Sequence, residues 1–328
     1  MLRDAYGRNI QDLRISVTDR CNYSCFYCKT PLDNLLKKRK EELLSYEEIE
    51  NITRLLVRLG IRKVRLTGGE PLLRASLDQL VARIAAIPEV QDLALTTNGH
   101  LLTQQAQRLK DGGLRRLTVS VDSLRPERFA RITDSNSLER VLKGIETAQK
   151  VGFSNIKINA VIIRGINDDE LVNFIQWAKA EGHVMRFIEF MPLDSRHDWG
   201  RDKVVTASEM LEKIAPYETL IPIQRDFAAE TALKFTYAGG QGQLGIIAPV
   251  SRPFCGQCSR LRLTAEGKLR TCLFSLVEYD LAGRLRRGDS EKSLEDFVRQ
   301  AVHLKEERHH INDPGFVQPA RTMVFIGG

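Results

Sequence analysis

The sequence predicts an α/β fold: an incomplete (βα)6 TIM-like barrel with a C-terminal α+β covering domain. Strand-like and helix-like segments alternate through the first two thirds of the chain, which is typical of a parallel sheet with right-handed crossovers. Six such units are too few to close an eight-stranded barrel, so an open barrel is expected. We therefore predict a barrel domain at residues 1–215 and a covering domain at residues 216–328.

Each predicted element depends on a local pattern. Runs of apolar or β-branched residues predict six barrel strands, at residues 13–17, 64–66, 93–96, 117–121, 156–163 and 185–190. The first helix begins at Ser45, where a capping box with Glu48 is expected, and ends near Gly60. Later helices end near further glycines, namely Gly112 and Gly113, Gly152 and Gly182. The covering domain is expected to hold strands near residues 235–237 and 244–247 and a helix near residues 294–303.

The size and charge of the chain restrict its function. At 37.2 kDa with 42% hydrophobic residues, the chain can bury a large core without a metal to stabilise it. Its net charge of +7 favours an anionic partner: nucleic acid, an acidic membrane or a phosphorylated small molecule. The basic run Lys37-Lys38-Arg39-Lys40 is typical of a solvated loop, as is the group Arg284, Arg286 and Arg287. Because the sequence contains neither a secretory signal nor an apolar run of roughly 18 residues, we expect a cytoplasmic protein.

All six cysteines fall into two triads. Cys21, Cys25 and Cys28 form a C-x3-C-x2-C run, and Cys255, Cys258 and Cys272 form a C-x2-C-x13-C run. Three thiolates at such spacing suit a [4Fe-4S] cluster and leave one iron open to a substrate or cofactor. Disulfides are disfavoured by the expected reducing compartment, whereas structural zinc stays open for the second triad, since C-x2-C is half of many zinc sites.

The remaining motifs follow the predicted barrel strands, where the chemistry of parallel barrels collects. The first triad follows strand one, and the other motifs follow strands two, three, four and six, as Thr67-Gly68-Gly69-Glu70-Pro71, Thr97-Asn98-Gly99, Asp122-Ser123 and Met191-Pro192. Gly68 and Gly69 carry no side chains, so a ligand could approach the backbone there. Because these loops share one edge of the sheet, we expect a single site.

The first triad, with Tyr27 before its last cysteine and Gly-Gly-Glu-Pro after the next strand, resembles the radical S-adenosylmethionine superfamily. The resemblance implies that Cys21, Cys25 and Cys28 hold a [4Fe-4S] cluster whose fourth iron binds S-adenosyl-L-methionine. An electron from the cluster then yields a 5'-deoxyadenosyl radical. By the same resemblance, four residues contact the cofactor: Tyr27, Gly69, Ser120 and Met191.

Longer segments are similar to one family within that superfamily, the GTP 3',8-cyclases. They are Leu-Arg-Ile-Ser-Val-Thr-Asp-Arg-Cys-Asn at 13–22, Arg-Leu-Thr-Gly-Gly-Glu-Pro at 65–71, Arg-Phe-Ile-Glu-Phe-Met at 186–191, Phe-Cys-Gly-Gln-Cys-Ser-Arg-Leu-Arg at 254–262, and the terminal Gly327-Gly328. The resemblance implies that Cys255, Cys258 and Cys272 hold a second [4Fe-4S] cluster that binds the guanine of GTP. It also implies GTP contacts by Arg14, Arg65, Thr96, Lys157, Arg260 and Arg262, and places Gly327 and Gly328 in the active site.

Independently of the resemblance, Arg260 and Arg262 alternate on a predicted strand and share one face, and arginine forks match phosphate oxygens.

The chemistry that the family resemblance implies is abstraction of the ribose 3' hydrogen, attack of C3' on guanine C8 and reduction to 3',8-cyclo-7,8-dihydro-GTP. This is the first step of molybdenum cofactor biosynthesis. It implies GTP as substrate, a cellular electron donor, and transfer of the product to cyclic pyranopterin monophosphate synthase. We expect no nucleic acid or membrane partner, and a homodimer is compatible with the sequence.

Two other classes stay open. The first is a different radical S-adenosylmethionine enzyme with an auxiliary cluster, such as a peptide maturase, which would not need Arg260, Arg262 or the glycine tail. The second is a non-catalytic zinc or nucleic-acid-binding protein, which the basic charge and the C-x2-C motif favour but which leaves the first triad unexplained.

Overall fold

Twelve strands form one mixed sheet in the described part of the chain, residues 1–29, 31–193, 198–225, 227, 229–240 and 242–327 of a computed structural model. In chain order the strands are β1 Asp12–Ser16, β2 Lys63–Thr67, β3 Asp92–Thr97, β4 Arg116–Ser120, β5 Lys157–Ile162, β6 Val184–Glu189, β7 Leu220–Ile223, β8 Ala232–Tyr237, β9 Gln243–Ile247, β10 Arg260–Leu263, β11 Lys268–Arg270 and β12 Tyr279–Asp280. Their order across the sheet is β12-β11-β10-β1-β2-β3-β4-β5-β6-β9-β8-β7.

Most of the helices connect strands, and the last three follow β12. The helices are α1 Tyr46–Arg58, α2 Leu77–Ala85, α3 Leu102–Asp111, α4 Pro126–Thr133, α5 Leu138–Lys150, α6 Leu171–Ala180, α7 Ala207–Ile214, α8 Leu281–Arg286, α9 Glu291–His303 and α10 Met323–Ile326. Within the ranges given above, no helix is long and apolar enough to cross a membrane.

Strands β1 to β6 are parallel neighbours in chain order, which confirms the predicted incomplete barrel. The later strands do more than cover this barrel, because they lengthen its sheet at both ends. Strand β10 pairs in parallel with β1, and β9 pairs in parallel with β6. These additions satisfy backbone groups that an open six-stranded sheet would leave exposed at its edges. The sheet therefore continues past residue 215, and the division of the chain at that point stays a prediction.

Alternation along the strands separates the core from the barrel interior. In β1, Leu13 and Ile15 are fully buried in the main hydrophobic core, whereas Arg14 faces the interior.

The predicted capping box at the start of α1 is also confirmed. Ser45 accepts a hydrogen bond from the backbone N–H of Glu48, and the Glu48 carboxylate accepts one from the N–H of Ser45 at 2.7 Å.

Candidate functional site

Both cysteine triads open on one cavity of about 290 Å³ at the C-terminal ends of the barrel strands. The first triad follows β1, while Cys255 and Cys258 precede β10 and Cys272 follows β11. Because β10 pairs with β1, strands that are remote in sequence bring the two triads to the same opening. All six thiols are free and partly buried. The topology therefore produces the single site that the sequence predicts.

The loop after β2 is fastened to the loop that carries the first triad. The Gly69 N–H donates to the Thr18 carbonyl and the Glu70 N–H donates to the Arg20 carbonyl, each at 2.7 Å. The buried Glu70 carboxylate accepts hydrogen bonds from the hydroxyl of Thr97 and the backbone N–H of Asn98. These contacts hold the ends of β1, β2 and β3 together around the first triad.

Gly68 and Gly69 have a packing role beyond the open backbone that the sequence suggests. A Cβ atom at Gly69 would lie 2.3 Å from the carbonyl oxygen of Arg20, and one at Gly68 would lie 2.8 Å from that of Thr18. Such distances are too short for real Cβ contacts, and the opposing atoms belong to the backbone. Both glycines are therefore required for the two loops to pack, whatever ligand they contact.

We expect Gly69→Ala to lower the free energy of unfolding by about 1–3 kcal/mol, the usual range for overpacking. The methyl group would push the β2 loop away from the cysteine loop, because backbone lies on both sides of the contact. Denaturant titration of the metal-free protein measures the change. Gly239→Ala is the matched control, since Gly239 is exposed and a Cβ atom there would meet no other atom within 4 Å. Equal stability of the two variants would contradict the packing role.

The first triad fits a cysteine-ligated cluster. Its thiols are partly buried, and burial raises the pKa of Cys21 to about 11, so the free thiols are protonated at neutral pH. Cys21 Sγ accepts a hydrogen bond from the N–H of Tyr23 at 3.4 Å and lies 4.0 Å from the amide nitrogen of Asn98. A bound cluster would convert the thiols to thiolates with release of protons. Within the described residues, no three His, Cys, Asp or Glu side chains converge closely enough to hold a single metal ion.

The second triad lies among cations. Burial would raise the pKa of Cys258, but the Arg260 guanidinium and the Lys305 ammonium lower it to about 6. Arg260 Nε donates to Cys258 Sγ at 3.3 Å, and Lys305 Nζ donates to the Arg260 carbonyl at 3.2 Å. Arg8 donates to the Cys255 carbonyl at 2.8 Å. This donor set suits thiolates that bind a cluster, with positive charge already in place to balance them.

Arginines line the interior between the two triads. Arg262, Arg14 and Arg65 occupy one register row across β10, β1 and β2. Burial, followed by repulsion from Arg260 and Arg65, lowers the pKa of Arg14 to about 9. Burial and then Arg186 lower the pKa of Arg65 to about 9. A ligand with several negative charges would relieve this repulsion, so the row is suited to a polyphosphate.

The carboxyl-terminal tail reaches the C-terminal ends of β1 and β2. Gly327 has a positive φ of 80°, and a Cβ at this position would lie 2.8 Å from Cγ2 of Thr67 and 3.1 Å from Cβ of Ser16. Arg262 donates a hydrogen bond to the Gly327 carbonyl. The tail therefore reaches an arginine of the interior row. Gly328, which we also predict to act in the site, lies outside the described residues.

Most of the predicted site residues line this cavity. They are the six cysteines with Arg14, Tyr27, Arg65, Gly69, Thr96, Ser120, Met191, Arg260 and Arg262. Lys157 is not among the described lining residues. It is the first residue of β5, two residues before the lining residue Asn159, and burial and then Arg186, Arg116 and Arg65 lower its pKa to about 7. Its contact with GTP stays a prediction.

Several residues that line the cavity were not predicted from the sequence, among them Arg186, Asn159 and Lys305. Arg186 and Asn159 line the cavity, and in the described part of the chain neither Arg186 Nε nor Asn159 Oδ1 has a hydrogen-bond partner. Both are inward-facing polar residues on strands whose alternate residues are apolar and buried. That alternation is the signal that could have identified them.

Asp122 positions Tyr27 beside the first triad. The Tyr27 hydroxyl donates to Asp122 Oδ2 at 2.5 Å, and the Val161 N–H donates to Asp122 Oδ1 at 2.9 Å. Burial raises the pKa of Asp122 to about 6 and also raises the pKa of Tyr27. The carboxylate thus joins the end of β4 to β5 and to the cysteine loop.

Comparison with known families and proteins places this site in context. Residues 15–178 match the Radical SAM superfamily, and residues 183–311 match the family described as Molybdenum Cofactor Synthesis C. The chain is 45% identical over 306 residues to a GTP 3',8-cyclase of Acidothermus cellulolyticus, covering 92% of this chain and 84% of the relative. It is 42% identical over 327 residues to a GTP 3',8-cyclase of Syntrophomonas wolfei, covering 99% of each chain.

Solved structures support the fold. Streptococcus suis SuiB bound to S-adenosylmethionine is similar with a TM-score of 0.61 and 14% sequence identity, over 89% of this chain and 68% of that one. SuiB bound to the precursor peptide SuiA is similar with a TM-score of 0.58 and 11% identity, over 94% and 66% of the two chains. At such low identity the likeness establishes the fold alone.

Proposed function

The chain belongs to the GTP 3',8-cyclase family of the radical S-adenosylmethionine superfamily, and on this basis we propose that it cyclises GTP. The product is (8S)-3',8-cyclo-7,8-dihydroguanosine 5'-triphosphate, formed in the first step of molybdenum cofactor biosynthesis. The observation that supports this most is the row of interior arginines between two cysteine triads that open on one cavity. A zinc-binding or nucleic-acid-binding protein would need neither the shared cavity nor the first triad.

Each group of residues has a defined task in this proposal. Cys21, Cys25 and Cys28 hold one [4Fe-4S] cluster, and Cys255, Cys258 and Cys272 hold a second. When bound, the first cluster and S-adenosylmethionine supply a 5'-deoxyadenosyl radical that can remove the 3' hydrogen of GTP. Tyr27, Gly69, Ser120 and Met191 orient that cofactor.

The substrate lies across the interior with its guanine toward the second triad. Arg14, Arg65, Arg260 and Arg262, with Lys157 and Thr96, bind the nucleotide. Fixing the ribose against the cofactor makes the hydrogen transfer effectively intramolecular and excludes water from it. Gly327 extends the same site, since its carbonyl accepts a hydrogen bond from Arg262, and Gly328 acts there as well in this proposal.

The wider setting follows from the same family. We propose that the protein works in the cytoplasm, where its six thiols stay reduced. It takes two electrons per turnover from a cellular donor, one for cleavage of S-adenosylmethionine and one for reduction of the cyclised ring, and passes its product to cyclic pyranopterin monophosphate synthase. Assembly as a homodimer is part of the proposal.

Isotope transfer tests the function. The protein is reconstituted with iron and sulfide under anaerobic conditions and then given dithionite, S-adenosylmethionine and GTP deuterated at C3'. We expect mass spectrometry to find deuterium in 5'-deoxyadenosine. GTP deuterated at C2' is the matched control and should transfer none. Unlabelled 5'-deoxyadenosine from the C3'-deuterated substrate would contradict GTP cyclisation and favour another radical enzyme with an auxiliary cluster.

A further inference from the structure

The two basic groups in the sequence differ in their surroundings. Arg284 and Arg286 are paired, with Asp289 at 2.9 Å and Glu48 at 2.6 Å respectively, and they join α8 to its neighbours. The run Lys37-Lys38-Arg39-Lys40 has a different setting, because its only ion-pair partner within the described residues is Glu42. Lys37 and Lys40 have no ion pair in that part of the chain. Arg284 and Arg286 therefore stabilise the fold. The run at residues 37–40 has a different role.

The basic run lies against the loop that leads into the first triad. The Lys38 N–H donates to Asp19 Oδ2 at 2.6 Å, and Asp19 is two residues before Cys21. Arg20, between Asp19 and Cys21, is exposed. We call Arg20 and Lys37 to Lys40 the basic surface. It forms part of the protein exterior next to the residues proposed to hold the first cluster.

The basic surface combines unbalanced charge with exposed apolar side chains. Its five cations outnumber Glu41 and Glu42, the two acidic residues that follow it in sequence. Leu35 is 81% exposed and Leu36 is 61% exposed, directly before the run. Large apolar side chains flanked by charge are typical of a surface that meets another protein. A solvated loop that only connects two elements would not need them.

We propose that the basic surface, with Leu35 and Leu36, docks a small acidic protein that carries one electron to the first cluster. The inference depends on the proposed function, because that function requires two electrons from outside in each turnover, delivered one at a time, and one of them cleaves S-adenosylmethionine. In the step, the reduced carrier would release one electron to the cluster that Cys21, Cys25 and Cys28 would hold, and no covalent bond forms or breaks. Complementary charge raises the rate of encounter, and a small interface suits a carrier that must leave after each transfer.

Charge reversal tests the docking surface. Lys37→Glu/Lys40→Glu replaces the two lysines that lack an ion pair within the described residues, and neither belongs to the proposed cofactor or substrate sites. Arg108→Glu/Arg299→Glu is the matched control, since it changes the charge equally at exposed positions on α3 and α9. The probe is reduced flavodoxin, an acidic protein that carries flavin mononucleotide. Its dissociation constant is measured by fluorescence anisotropy with the metal-free and the reconstituted protein.

We expect the Lys37/Lys40 variant to bind flavodoxin about tenfold more weakly at about 50 mM salt, with the difference lost near roughly 500 mM as charges are screened. Flavodoxin-driven turnover should fall about as much, while dithionite-driven turnover stays at the wild-type rate. The control variant should match wild type in both measurements. Unchanged flavodoxin binding in the Lys37/Lys40 variant would overturn the proposal.

Other results would overturn it in different ways. Equal loss of dithionite-driven turnover would assign the surface to folding, and tighter binding of anionic lipid vesicles or RNA than of flavodoxin would assign it to another partner. If the proposed function is wrong, the wild-type protein produces no cyclised GTP even with dithionite. The dissociation constant for flavodoxin still tests the basic surface in that case.

Discussion

Cys21→Ser should abolish reductive cleavage of S-adenosylmethionine, whereas Cys258→Ser should leave some cleavage but no cyclisation of GTP. Each substitution removes one of three thiols, but from different triads with different electrostatic surroundings. Cys21 lies in the first triad, where burial raises the thiol pKa, and Cys258 lies beside Arg260 and Lys305. If the triads hold separate clusters, loss of the second should uncouple cleavage from the substrate.

Iron content and product analysis check this expectation. Reconstituted wild type should contain about twice the iron of either variant, since a triad is expected to hold one four-iron cluster. 5'-Deoxyadenosine and cyclised GTP are then quantified from the same anaerobic reaction. We expect neither product from Cys21→Ser, and 5'-deoxyadenosine alone from Cys258→Ser. Equal loss of cleavage in both variants would contradict two separate tasks for the triads.

The barrel could be predicted from the sequence because each of its strands and helices is indicated by a pattern within a short segment. Strands β1 to β6 follow from short apolar runs, and α1 follows from a Ser45 and Glu48 capping box three residues apart. The pairing of β10 with β1 could not be predicted in this way. It joins segments from opposite ends of the chain, with Asp12 beside Arg260, and depends on which edges of the sheet remain open.

Only some residues of the site could be predicted from the sequence, for the same physical reason. Cysteine spacing and the Arg260-Arg262 alternation are visible in the chain, so both triads and this arginine pair could be named from the sequence, whereas the other predicted cavity residues depended on the family resemblance. Arg186 gave only a weak signal, a charged residue in a largely apolar strand, and its importance depends on its repulsion with Arg65 on another strand of the barrel. The requirement for glycine at position 69 also depends on a segment remote in sequence, because the backbone atoms that exclude a side chain there belong to Arg20.

Arg14→Gln should stabilise the free protein and weaken GTP binding together. With a pKa of about 9, Arg14 is charged at neutral pH, while its lowered pKa reflects burial and repulsion from Arg260 and Arg65. Removing that charge relieves the repulsion in the empty interior, so the thermal midpoint should rise. GTP affinity should fall by roughly ten- to a hundredfold, since a hydrogen bond to a charged group contributes about 1.5–3 kcal/mol.

Thermal unfolding with and without GTP, and calorimetric titration of GTP, measure the two effects. Arg108→Gln is the control, because Arg108 is exposed on α3 and should change neither quantity. GTP should raise the midpoint of wild type more than that of Arg14→Gln, because ligand stabilisation follows affinity. A variant that is less stable but binds GTP normally would show that Arg14 supports the fold. Higher stability together with lower GTP affinity is the result expected only of a binding residue that other arginines repel in the empty site.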